Sequence, residues 1–324
     1  MIKKIILICL LLLPAGLYAQ SADNNAIFFK ISGNGLKSPS YLLGSFHIMR
    51  GETVKSIPGF ERIYTEIPQV CFETDMNHTP SNTGIEALTQ SPQSNKKTKL
   101  TAEEILLPAD STYDKIMGEE KAAEIDSLMK VVYPMYVSNM RPGYAAMIMQ
   151  MMYSIQMLGI TQENMQQEFV SIDYYLHAQA VRDGKLIEML EPFAVQDSIL
   201  KKMKAKKMPL KQQTLADKMN ELYKLCHTYG EKSDRIQKLR QLYQTGKGEE
   251  LINELSDGNN SLGLSSSLMD VKGRNMKWMK RIVQIIHAKP TLIVVGLAHL
   301  FAYKGSEGII SDLRNLGYKV EPIM

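Results

Sequence analysis

The strand-like apolar runs of this chain lie at its two ends. AIFFKIS from Ala26, YLLG from Tyr41 and QVCF at Gln69–Phe72 come early, TLIVV at Thr291–Val295 and KVEP at Lys319–Pro322 come late, and helix-forming sequence fills most of the space between. Strands need partners for their backbone groups, so the two ends must meet in one sheet and the intervening chain must be accommodated beside it. The expected fold class is α/β: a central mixed β-sheet built from the N- and C-terminal segments, flanked by helices, with a large helical insertion at about 101–288.

Local patterns refine that outline. AIFFKIS and YLLG read as two strands joined by the Gly/Pro/Ser turn GNGLKSPS, and Pro58 opens a short helix, PGFERIYTEI. Asn77 to Lys99 is polar and aperiodic and reads as a loop. From Thr101 to about Gly184 apolar residues recur at three- and four-residue spacing, most clearly over Ala122–Val132 and Tyr144–Met157, which predicts helices. Leu186–Leu190 reads as a short buried strand and Val195–Leu255 as amphipathic helices. A long helix over about Met269–Ala288 is stopped by Pro290, and a helix over Ser306–Leu316 leads into the closing strand. No repeat with a period of twenty to fifty residues is visible.

Met1 to Ala19, MIKKIILICLLLLPAGLYA, has a basic start, a short apolar run and small residues before Gln20, the pattern of a secretory signal peptide with cleavage after Ala19. The expected mature protein is one domain, 20–324, exported to the periplasm or beyond, with no stable membrane span. Its two remaining cysteines, Cys71 and Cys226, make no disulfide framework. A bridge between them and a buried free thiol at Cys71 are both open. The 324-residue chain carries 38 Lys and Arg against 34 Asp and Glu, a net +4. The one dense basic run, Lys201 to Lys207, reads as a solvated helix face, so no nucleic-acid partner is expected.

Two Gly-x-x-His tetrads follow strands. Gly44-Ser45-Phe46-His47 comes after YLL, and Gly296-Leu297-Ala298-His299 comes after LIVV. Open α/β sheets place their sites beyond the carboxyl ends of strands, where glycine permits close backbone approach. Phe72-Glu73-Thr74-Asp75 ends QVCF and has the same address. His47, His299 and Glu73 would form an open two-imidazole, one-carboxylate metal site if their strands are neighbours. A divalent ion there activates water and polarises a carbonyl. Glu73 is then either the third ligand or the general base, and if it is a ligand, Asp75 or Glu191 is a candidate base or a carboxylate that fixes a histidine ring.

GSFH, FETD and VVGLAHL, followed by EGIISDLRNLGYKV, resemble the TraB/GumN family, which includes the Tiki metalloproteases. The resemblance extends over nearly the whole mature chain, through Asp173, Ala180, Gly184-Lys185, Leu190-Glu191 and Gln196 to the Arg274-Asn275 pair of GRNMKW. It implies an α/β core with a helical insertion, a metal and catalytic centre at His47, Glu73 and His299, and a manganese or cobalt ion, zinc being a further option, used to cleave a peptide or protein substrate. Arg274, otherwise an ordinary helix charge, becomes through the resemblance a candidate to stabilise an oxyanion or clamp a substrate carboxylate. A departure stands at Ala302, where the family often has glycine.

The remaining candidates are weaker. Asp173 and His177 are four apart on a predicted helix and share a face, a geometry that can hold a metal, though such pairs are usually just helix-surface neighbours. His78, His227 and His287 read as structural or solvated, and Met147, Met149, Met151, Met152 and Met157 as adaptable core, with an apolar ligand groove as the alternative. Two rival functions use the same histidines: a haem- or metal-binding protein without turnover, and a metal-free hydrolase like the erythromycin esterases, with one histidine as general base.

Overall fold

The computed structural model describes residues 26–77, 101–195, 197–198, 214–256 and 270–324. The signal-peptide reading, most of the polar loop, His78, Gln196 and Lys201–Lys207 lie outside them.

The strands are β1 (Phe28–Gly33), β2 (Ser40–Ser45), β3 (Gln69–Phe72), β4 (Leu186–Met189), β5 (Thr291–Gly296) and β6 (Tyr318–Pro322). The helices are α1 (Phe60–Glu66), α2 (Ala102–Ile105), α3 (Tyr113–Met117), α4 (Glu119–Val132), α5 (Pro142–Met157), α6 (Ile172–Arg182), α7 (Leu215–Gln244), α8 (Gly248–Ser256), α9 (Val271–Ala288) and α10 (Ile309–Asn315). The fold is the expected α/β class.

The six strands of the described residues form one mixed sheet in the order β4-β3-β5-β2-β1-β6. β4, β3, β5 and β2 run parallel, while β1 pairs antiparallel with β2 and with β6. C-terminal β5 sits between the early strands β3 and β2, which is how the two chain ends are joined. The middle of the chain also contributes, because the Leu186–Leu190 run supplies the edge strand; with a neighbour on one side alone, β4 is exposed or half-buried along its length and not the buried strand expected. Parallel strands are covered on both faces and therefore read as unbroken apolar runs. Val70, Cys71, Leu292, Ile293, Val294 and Val295 are accordingly fully buried.

α9 turns an amphipathic stripe to the core. Val271, Arg274, Asn275, Trp278, Ile282, Ile285 and Ile286 are buried at three- and four-residue spacing. Asp270 caps it, its side chain accepting the Gly273 N–H at 2.9 Å. A buried face that carries an arginine and an asparagine must supply them with partners.

The chain divides into two compact units, one of Met1–Thr79, Ser171–Lys202 and Leu239–Met324, the other of Pro80–Val170 and Met203–Lys238. The first contains the whole sheet. The second has its own core, in which Ile125, Met129, Ala145, Met149, Met219 and Leu222 are fully buried. Met149 thus packs as core, whereas Met147 is 51% exposed. Cys71 and Cys226 are free, buried thiols. Among the described residues no helix is long and apolar enough to cross a membrane.

Candidate active site

Each of the four parallel strands delivers a polar side chain just past its carboxyl end. Leu43, Val294, Phe72 and Met189 form one register row across β2, β5, β3 and β4. Beyond that row lie His47, His299, Glu73 and Glu191. The glycines of the two tetrads make this approach possible. A Cβ on Gly44 would lie 2.4 Å from Leu297 Cδ1, so only glycine lets the second tetrad pack against the first. A Cβ on Gly296 would lie 3.2 Å from Glu73 Oε1, 3.7 Å from His47 Nε2 and 3.8 Å from His299 Cδ2. The two imidazoles and the carboxylate therefore converge around one bare stretch of backbone.

His47 is held by α6. Asp173, in the first turn of that helix, receives the His47 Nδ1–H at 2.9 Å on one oxygen and the Ser45 hydroxyl at 2.8 Å on the other. The loop is braced from α7, whose Tyr243 hydroxyl donates to the Gly44 carbonyl at 2.8 Å and whose Arg240 donates to the Ile48 carbonyl at 3.0 Å. Nδ1 is thus tied off, and Nε2 faces the site on a side chain that is 58% exposed. The Asp173 charge raises the His47 pKa to about 9 against the opposing effect of desolvation.

Arg274 ties the buried side together. Its Nη2 donates to Glu73 Oε2 and to Glu191 Oε1, both at 2.7 Å, and its Nε donates to Glu191 Oε1 at 3.1 Å. The Trp278 indole N–H donates to Glu191 Oε2 at 2.9 Å, and the Trp278 ring lies 4.4 Å beneath the guanidinium. Glu73 Oε1 accepts the Gly296 N–H at 2.7 Å. Burial alone would raise the Glu73 pKa, but Arg274, the two histidines and that N–H outweigh it and bring it down to about 2.

His299 is fixed by Asn275. The Asn275 amide nitrogen donates to the His299 carbonyl and to Ser306 Oγ, both at 3.0 Å, which leaves Oδ1 to accept from His299 Nδ1 at 2.6 Å. The proton belongs on Nδ1 and the lone pair on Nε2. Nε2 lies 3.3 Å from Arg274 Nη1 and 3.9 Å from Glu73 Oε1. Burial lowers the His299 pKa to about 4, keeping the ring neutral.

The donor chemistry suits a divalent ion. Both histidines have Nδ1 hydrogen-bonded to an oxygen acceptor, the support that metal-ligating imidazoles ordinarily have. Their Nε2 atoms, that of His47 once it has given up its proton, and Glu73 Oε1 are the groups able to ligate. The spacing, however, is that of an ion-paired network: Arg274 faces the His299 lone pair, and among the described residues no group of three or more His, Cys, Asp or Glu is close enough to hold an ion.

The structure groups His47, Glu73, His299 and Arg274 as a set and adds Glu191 as the arginine's partner. Asp75 accepts the Asn77 N–H at 3.0 Å. Asp173 and His177 do not act as a pair: Asp173 engages His47, while the His177 ring packs edge-on to Phe72 at 5.6 Å. His287 meets the Tyr318 hydroxyl at 2.8 Å, and His227 pairs with Glu124 at 3.1 Å. The residues that sequence reasoning undervalued are Ser45, Asp173, Asn275 and Trp278. Trp278 carried one readable signal: it is the only tryptophan and lies one helical turn after Arg274.

No curated protein and no solved structure matches the chain. The model of the TraB/PrgY/gumN family matches residues 27–322, from β1 through β6 and across every residue of the site, and the chain belongs to that family.

Proposed function

We propose that this chain is an exported hydrolase in which His47, Glu73 and His299 hold a divalent metal ion, manganese or cobalt by family resemblance, and that its substrate is a peptide or protein. The observation that carries this reading is the matched pair of imidazoles, each tied at Nδ1 and each turning Nε2 toward Glu73 beside Gly296. When bound, such an ion polarises a carbonyl and makes water a nucleophile near neutral pH.

The chain's own groups have distinct tasks. Asp173 and Asn275 orient the two rings. Glu73, held at about 2, is a poor base near neutrality, which favours ligation over proton abstraction. Exposed His47 marks the side open to substrate. Arg274 supplies a fixed positive charge where an oxyanion develops. Export rests on the pattern of Met1 to Ala19.

A second reading is favoured by two observations: the Asp173–His47 pair has the geometry of a general base with its orienting carboxylate, and Arg274 already occupies the His299 lone pair. That arrangement suits metal-free ester hydrolysis. Elemental analysis of the mature protein beside His47→Ala and His299→Ala variants separates the two. The metal reading expects one divalent ion per chain, its loss in both variants, and chelator-sensitive cleavage of a peptide library. Chelator-insensitive hydrolysis by metal-free protein would support the second.

A further inference from the structure

We infer that Arg274 is a resident counter-ion that competes with the divalent ion for the site, so that metal loading requires one edge of its guanidinium to let go. This inference rests on the metal reading proposed above. The guanidinium is held unequally. Its Nε and Nη2 edge donates twice to Glu191 Oε1, at 3.1 and 2.7 Å, and once to Glu73 Oε2 at 2.7 Å. Trp278 secures Glu191 from the other side and lies under the guanidinium plane. The Nη1 contact to His299 Nε2, at 3.3 Å, is the longer one and lies at the upper limit of useful hydrogen-bond length.

The contact that must break for His299 to ligate is therefore a single long one, while the opposite edge of the guanidinium is held by several, including a looser one from Nε to Glu191 Oε2 at 3.4 Å. Glu191 stays in place to hold the displaced side chain, and Glu73 has one oxygen held by the Gly296 N–H, independently of Arg274. In the absence of an ion, Arg274 neutralises two buried carboxylates that would otherwise repel each other. With an ion present, two cations share one pocket, and the arginine weakens binding. The device keeps the fold stable when empty and sets a threshold of metal concentration for loading.

The test is titration of Mn²⁺ into chelator-stripped mature protein by calorimetry, with apo thermal unfolding measured in parallel. Arg274→Gln removes the charge and the fork. Arg274→Lys keeps a charge but lacks Nη1, and it serves if the glutamine variant does not fold. Each variant should lower the apo melting temperature and tighten Mn²⁺ binding, by tenfold or more for glutamine, equivalent to about 1.4 kcal/mol, and by less for lysine. Binding by the variants alone would also support the inference. Mn²⁺ binding by the parent with equal or weaker binding by the folded variants would overturn it and leave the metal reading standing. Absence of binding by parent and variants alike would remove both.

Discussion

Asp173 Oδ2 and His47 Nδ1 stand 2.9 Å apart, a hydrogen bond between the first turn of α6 and the loop after β2 that dictates which nitrogen of His47 faces the site. Asp173→Asn keeps the shape of the carboxylate but removes its charge. The variant should fold as the parent does and lose about ten- to a hundredfold in metal affinity or hydrolysis, the usual cost of removing a group that orients a ligating histidine. Calorimetric titration and peptide-cleavage assays give the two numbers; unchanged values in both would strip Asp173 of the orienting role.

The titrating groups predict where apo stability peaks. His47 has a folded pKa near 9 against an ordinary 6.5, so the folded state binds more protons between those values and stability falls as pH rises through that window. His299 has a folded pKa near 4 against 6.5, so the unfolded state binds more protons there and stability falls as pH drops from 6.5 toward 4. Glu73, depressed from 4.5 to about 2, extends the acid loss below that. Urea unfolding across pH should therefore show a maximum near 6.5. His47→Asn should flatten the alkaline limb, and His299→Asn the upper part of the acid limb.

The ion pair of Glu191 with Arg274 is buried, and breaking it leaves the guanidinium short of a partner. Glu191→Ala should destabilise the fold by about 3 to 5 kcal/mol, in the range measured when one member of a buried pair is deleted. Trp278→Phe removes the donor to Glu191 Oε2 while keeping a ring, and should cost about 1 to 3 kcal/mol. Denaturant midpoints at neutral pH decide both. A change below 1 kcal/mol in the first would mean that Glu73 alone satisfies the arginine.

The two tetrad glycines should fail in different ways. Gly44→Ala places a methyl 2.4 Å from Leu297 Cδ1 and should cost about 1 to 3 kcal/mol of stability through overpacking. Gly296→Ala places one 3.2 Å from Glu73 Oε1 and 3.7 Å from His47 Nε2 and should spare the fold while impairing metal binding. Thermal unfolding and Mn²⁺ titration of both variants distinguish the outcomes; loss of stability without loss of binding in Gly296→Ala would contradict the second.

What could be read from the sequence follows from how far apart the deciding contacts are. TLIVV and QVCF announced buried strands because each is apolar throughout, and the tetrads announced strand ends because glycine and histidine follow such runs directly. The place of β5 between β3 and β2 was not legible, because nothing local to the three runs says that they are neighbours. Asp173 was misassigned because helical spacing sets it beside His177, whereas its true partner is fixed by how α6 meets the sheet. Arg274 looked like an ordinary helix charge, and nothing local to α9 reveals that Glu191, at the end of β4, is positioned to receive it.

The strand order has a consequence for biosynthesis. A ribosome that has made everything up to Pro290 has already produced His47, Glu73 and Glu191, yet β2 and β3 have nothing to bridge them until β5 is inserted. Until that closing segment takes its place, His299 and the Gly296 N–H that Glu73 accepts do not yet exist, so the set of side chains at the carboxyl edge of the sheet is completed last.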